Sequence, residues 1–265
     1  MKKKSVLLSF ILIFILNLNA AAQYQQDYTK TLVTFFKANG SLELQRMTLV
    51  SNYTTIALNL LPYDKQDMAS EYAQRYFDEQ YINDMAEIVI PFYQKYVSLN
   101  DLNTLIDMYD TSAARTAVEH SKVIGNDIIN GIASALKDYI LNDGKVSVKP
   151  KDYPASYMEA FKVYYKYGNF KVTMENAIKA ILGQLGTDQH ASSLFMKFVD
   201  EEMITVYANI CYLTLTETDI LTLSAIDRTP QQANVAKASA ELAEGLGSLS
   251  IDIVMKFSAW LSRQY

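Results

Sequence analysis

Apolar residues recur along this chain at spacings of three and four, the pattern of helices with one buried face. Between Tyr28 and Ala38, Leu32, Val33, Phe35 and Phe36 mark a first helix closed by Asn39-Gly40. Leu49, Val50, Tyr53, Ile56, Ala57, Leu60 and Leu61 mark a second, ending at Pro62. Asp64 is placed to cap a third, whose inner face would be Met68, Tyr72, Tyr76 and Phe77. Ile82, Met85, Ile88, Val89, Phe92, Tyr93 and Tyr96 follow, with Pro91 inside the pattern, which predicts a kink or a break just before the proline.

Ser98-Leu-Asn-Asp101 has the spacing of a capping box, a hydroxyl for the free N–H groups and a carboxylate three residues on. The short helix it opens would bury Leu102, Leu105, Ile106 and Tyr109. Asp110-Thr111-Ser112 stops it and caps a long helix reaching to about Leu141, with the stripe Ala117, Ile124, Ile128, Ile132, Ala135 and Tyr139. Asn142-Asp143-Gly144 turns the chain. The stretch to Pro154, with two prolines and three lysines but no helical period, is the natural linker.

The pattern then starts again. Tyr157 to Lys166 mirrors Tyr28 to Lys37 at an offset of 129, and Thr216 to Pro230 mirrors Ser98 to Ser112 at an offset of 118. At the second offset Ala117, Ile124, Ile128, Ala135 and Tyr139 land on Val235, Leu242, Leu246, Ile253 and Phe257. The offsets differ by eleven residues, close to three helical turns, so the shorter copy keeps its buried face in phase. The expected architecture is an all-α helical bundle built from two duplicated units of about five helices each: 23–142 and 156–265, joined by a linker at 143–155. Only KVSVK within the linker alternates like a strand.

Residues 1–22 have the form of a cleaved signal peptide, with Lys2, Lys3 and Lys4, the apolar run Val6–Leu16, and Ala20-Ala21-Ala22. Eleven apolar residues cover about half of a bilayer core, so export to the periplasm or beyond is expected, with a retained anchor as the alternative. Cleavage takes the formal charge from −5 to about −8, which argues against nucleic acid and anionic lipid surfaces. Cys211 is the single cysteine, so no internal disulfide can form and an ordinary hydrophobic core must hold the fold.

At Pro91-Phe-Tyr93, Tyr96, Ser98, Asp101-Leu102, Leu105, Met108-Tyr109 and Thr111-Ser112, the chain resembles domain-of-unknown-function family 2059, a group of exported helical proteins. The resemblance implies export and helices and leaves activity open. Asp101 stands where the family has glutamate, Thr111-Ser112 where it has Ser-Pro, and Ala114 where it has glycine; the second copy keeps Thr229-Pro230 but puts Asp227 at the tyrosine and Gln232 at the glycine.

Chemistry is sparse. His120 and His190 fit no metal-ligand spacing and read as surface residues. Cys211, beside Val206, Tyr207 and Ile210, reads as a buried structural thiol. Asp78-Glu79 and Asp200-Glu201-Glu202 read as solvated faces, because adjacent helical side chains diverge by about 100°. No phosphate loop, nucleophile elbow or Ca²⁺ loop is present. Tyrosine is abundant, with clusters at Tyr72, Tyr76 and Tyr81, at Tyr93 and Tyr96, and at Tyr164, Tyr165 and Tyr167. Such rings suit a bundle core, the favoured reading, or a sugar-stacking groove or interface. The sequence therefore assigns no catalytic, metal or cofactor residue and no cofactor. The expected role is a non-enzymatic binding or interaction module of the cell envelope with a protein partner or small ligand, and no membrane span after cleavage. A carrier of a small apolar, aromatic or sugar ligand between helices, or a hydrolase with an unrecognised site, are the alternatives.

Overall fold

A computed structural model describes residues 24–168, 170–171, 175, 189–244 and 246–264; the signal-like segment 1–22 lies outside them. Every regular element among the described residues is helical, so the chain is an all-α bundle.

Helix α1 (24–38) buries Tyr28, Leu32, Phe35 and Phe36. Gly40 turns the chain with φ 77°, where a Cβ would also meet Val118 at 2.9 Å. Helix α2 (Ser41–Leu60) buries Tyr53 and Ala57, and Leu61 continues that face. Leu60, expected inside, is 46% exposed, because it sits about 100° round from the Tyr53–Ala57–Leu61 row. A 3₁₀ turn, Tyr63–Met68, follows, and Asp64 makes no cap bond. Helix α3 (Ala69–Tyr76) buries Tyr72 and Tyr76, but Met68 occupies its N-cap position and is exposed, contrary to the sequence expectation.

A π-helical turn, Phe77–Tyr81, joins α3 to α4 (Ile82–Tyr96). Of the kink or break expected at Pro91, the break does not occur, and α4 runs on through the proline. The proline is on the exposed side, and the buried row Met85, Val89, Tyr93 carries across it, so packing holds the turn that loses a backbone bond. The capping box forms as expected. In α5 (Leu99–Tyr109) Ser98 Oγ accepts the Asp101 N–H at 3.0 Å, and Asp101 accepts the Ser98 N–H at 3.1 Å. Thr111 then caps α6 (Ser112–Leu141) through the Ala114 N–H.

The turn after α6 uses positive φ at Asp143 and Gly144. The linker is a strap rather than a free tether. Val148 N–H donates to Glu202 at 2.8 Å, Lys151 N–H to Asn209 at 2.8 Å, and Asn209 returns a bond to the Lys149 carbonyl. Beyond it lie α7 (Ala155–Tyr167), α8 (Gln189–Glu201), α9 (Met203–Cys211), α10 (Glu217–Asp227), α11 (Pro230–Glu244) and α12 (Leu246–Leu261). Thr216 and Asp219 form a second capping box on α10, and Thr229 caps α11 through the Gln232 N–H at 3.2 Å.

The two halves share one continuous core. Each sends its C-terminal arm into the other: α6 packs on α8, α9 and α10, while α11 packs on α4 and α5 and α12 on α2, α3 and α4. At one end Tyr53, Tyr76, Phe257 and Trp260 form an aromatic cluster, with Tyr53 stacked on Phe257 at 4.6 Å. Tyr76 donates to buried Asp84 at 2.5 Å, and Lys256 reaches Glu87 at 2.6 Å. Tyr93 shares a hydrogen bond with Ser239, and Lys95 and Tyr96 both donate to Glu241. Exposed pairs such as Lys95–Glu241 add little stability, so the aromatic burial holds the arm and the polar contacts fix its register.

Phe257→Ala is expected to cost about 3–5 kcal/mol, since it empties a fully buried site shared by both halves. Urea unfolding followed by far-UV circular dichroism and by Trp260 fluorescence should give one coincident transition at a lowered midpoint. Separate transitions by the two probes would mean that the halves unfold independently.

Candidate functional site

The residues singled out from sequence are scattered, and most are engaged in holding the fold. His120 Nδ1 lies 2.9 Å from Asp219, the acid of the second capping box, and so ties α6 to the start of α10. Burial pushes the Asp219 carboxyl up, but hydrogen bonds from His120 and Thr216 outweigh it and hold the group below the usual carboxylate range. His190 lies 2.9 Å from Asp143, and it and Lys145 hold that carboxyl low in the turn after α6. Cys211 is fully buried, and burial pushes its thiol up, away from a reactive thiolate.

The acidic runs divide. Asp78 pairs with Arg46 at 3.0 Å, Glu79 faces Arg75, and Asp200 pairs with Lys171 at 2.5 Å. Glu202, read from sequence as part of a solvated face, is instead buried and receives the strap's Val148 N–H. Among the described residues no three His, Cys, Asp or Glu side chains gather as a metal site, and no helix is long and apolar enough to cross a membrane. Of the tyrosine clusters, Tyr72, Tyr76, Tyr81, Tyr93, Tyr164 and Tyr165 are core, whereas Tyr167 is exposed with Arg228 over its ring at 5.3 Å.

Tyr164 is the tyrosine that leads to a site. It borders a cavity of about 240 Å³ where the two halves meet, together with Tyr109 from α5, Ser121 from α6, Tyr207 from α9, Asp227 from α10 and Gln232 from α11. Each wall residue is placed by its local sequence. Tyr109 and Asp227 are the last residues of the two capped eleven-residue helices α5 and α10. Gln232 sits in the first turn of α11, held by the Thr229 cap.

The electrostatics of this cavity are one-sided. No hydrogen bond or ion pair reaches the Asp227 carboxylate among the described residues, and burial pushes its carboxyl from an ordinary value of 3.8 up to about 7. Its place at the C-terminal end of α10, the negative end of the helix dipole, works in the same direction. Burial, and then the charge of Asp227, raises the Tyr109 hydroxyl, so it stays a neutral donor. Tyr164 and Tyr207 are also pushed well up by burial, and their hydroxyls are hydrogen-bonded to each other. Gln232 Oε1 is buried with no partner among the described residues.

Sequence reasoning assigned no site residue and noted Asp227 only as a departure from a tyrosine. That departure was the available signal: a carboxylate following Ile220, Leu223 and Ile226, beside a buried helical face. The scan against protein-family models finds no match, and neither curated proteins nor solved structures give a significant one.

Asp227 gives the folded state a distinctive pH dependence. Its folded pKa lies above the unfolded one, so between about pH 4 and pH 7 the unfolded chain releases a proton that the folded chain keeps. Its contribution to stability is thus greatest below pH 4 and declines as pH rises through 7. Asp219 and Asp143 act oppositely and only as pH falls through the carboxylate range. Asp227→Asn is expected to remove the decline and to leave the protein more stable than wild type at pH 8, by an amount on the order of 1–4 kcal/mol. Urea midpoints for both proteins at pH 5 and pH 8 measure it, and parallel pH profiles would show that Asp227 ionises freely.

Proposed function

We propose that the protein is an exported, non-enzymatic binding protein that holds a small ligand in the cavity around Asp227. The observation that carries this reading is that half-buried Asp227, which no hydrogen bond or ion pair reaches among the described residues, and the buried, unpartnered Gln232 Oε1 both line one tyrosine-walled space between the halves. A polar atom left unpaired away from water, as Gln232 Oε1 is, costs about 1–3 kcal/mol, a cost that an occupant bonding to it would offset. Against a hydrolytic role stands the geometry of a lining serine: Ser121 Oγ donates to the Ala117 carbonyl at 2.9 Å instead of to a base.

The same reading includes export and an origin by duplication. The signal-like residues 1–22 support export, as does the resemblance of the Pro91–Ser112 motif, which rests on those residues alone. Duplication is supported by details that recur at fixed offsets. Thr111 and Thr229 both donate to the carbonyl three residues back, at Met108 and Ile226. Tyr28, Leu32, Phe35 and Phe36 are all buried, and so are their counterparts Tyr157, Phe161, Tyr164 and Tyr165. Ala117 and Val235 are buried, as are Tyr139 and Phe257, while the side chains of Leu246 and Ile253 lie outside the described residues. On this reading Tyr109 and Asp227 are the same position in two copies, and the cavity acid is where one copy diverged.

Native mass spectrometry of the protein purified from its own cells should show a bound small molecule. Ser121→Phe, which puts a ring into the cavity, should lose that adduct while keeping its circular dichroism; an unliganded wild type, or an adduct unaffected by the substitution, would count against the carrier reading. N-terminal sequencing of envelope fractions should find a chain starting near Gln23. A chain found still carrying Lys2–Lys4 would argue for a retained anchor instead.

A further inference from the structure

Resting on the carrier reading, the sign and placement of the polar groups narrow the ligand. Two oxygen acceptors, the Asp227 carboxylate and Gln232 Oε1, border one small space. The nearby cations point elsewhere: Lys122 pairs with Glu119 at 2.6 Å, and Arg228 lies over the Tyr167 ring. The other titratable groups facing Asp227 are Tyr109 from α5, Tyr164 from α7 and Tyr207 from α9, with Cys211 of α9 beyond the last two. None of them is basic. An anion would meet a carboxylate with no counter-charge. A sugar would need a donor and an acceptor at each hydroxyl, yet the Tyr164 and Tyr207 hydroxyls already bond to each other.

Tyr109, Tyr164, Tyr207 and Phe170 supply aromatic surface around the same space. Ring faces attract cations, and more strongly where water is excluded. We propose that the cavity binds a small organic ammonium, its N–H groups donating to Asp227 and Gln232 Oε1 and its carbon body lying against Tyr109, Tyr164, Tyr207 and Phe170. Binding makes and breaks no covalent bond. Below neutral pH the Asp227 carboxyl loses its proton to solvent as the ammonium enters, so affinity rises with pH until that carboxyl is fully ionised.

Titration calorimetry on the mature full-length chain tests this with butylamine, cyclohexylamine and 2-phenylethylamine, each beside its uncharged alcohol counterpart. At least one amine should bind, at least tenfold more tightly than its alcohol and about tenfold more tightly at pH 8 than at pH 6. Asp227→Asn, expected to fold and to be the more stable protein at pH 8, should lose both the preference for the amine and the pH dependence. Alcohols binding as well as amines, or Asp227→Asn binding amines unchanged, would overturn the ammonium assignment while leaving a carrier in place. If no amine binds although native mass spectrometry finds an adduct, the ligand is of another class and this inference fails alone. If neither experiment finds binding, the carrier reading fails with it.

Discussion

The structure depends on an exchange of arms. Helix α6 leaves the first half to cover α8, α9 and α10, and α11 with α12 leaves the second to cover the α2–α5 surface. Neither half can bury its own apolar faces without the other, which is why a chain whose halves are joined by this strap has one core and not two. Strap and arms reinforce each other. The Glu202 carboxylate that receives the Val148 N–H lies between α8 and α9, two of the helices that α6 covers.

An aromatic core suits this arrangement. Flat rings at crossing arms stack or meet edge-on, as Tyr53, Tyr76, Phe257 and Trp260 do, and fill space between helices that belong to distant parts of the chain. Tyrosine adds a hydroxyl that can be satisfied across the seam: Tyr93 shares a hydrogen bond with Ser239 at 3.0 Å, and Tyr96 donates to Glu241 at 2.6 Å. The cavity lies where this filling stops. The ends of α5 and α10 meet the middle of α6 there, and Asp227 is too short to fill what a ring would fill.

Local features of this fold were legible in the residues because their physics is local. Ser98 with Asp101, Thr216 with Asp219, Thr111 and Thr229 each announce a helix start within three or four residues. The extent of α6 and the Asp143–Gly144 turn followed from periodicity and turn chemistry in the same way. What depended on distant packing was not legible. Pro91 is tolerated because of the face α4 buries, Glu202 is buried because a strap 54 residues away needs an acceptor, and Leu60 is exposed because Leu61 takes the inward position. The candidate site belongs to this second class. Its walls come from at least six helices, α5 to α7 and α9 to α11, spread over more than a hundred residues, and no window of sequence contains them together.

The order in which the buried contacts can form has a consequence for biosynthesis. Phe257, Trp260 and Leu261, fully or almost fully buried against α2, α3 and α4, are made long after the helices they cover. Until they arrive, the surface formed by α2–α4 has no cover, and the first half cannot settle while the second is still being synthesised. Folding must close the longest loops in the molecule, a feature associated with slow folding and with exposure to aggregation on the way. A chain of this kind gains from being held extended until both halves have been made, so the timing of its release matters as much as its sequence.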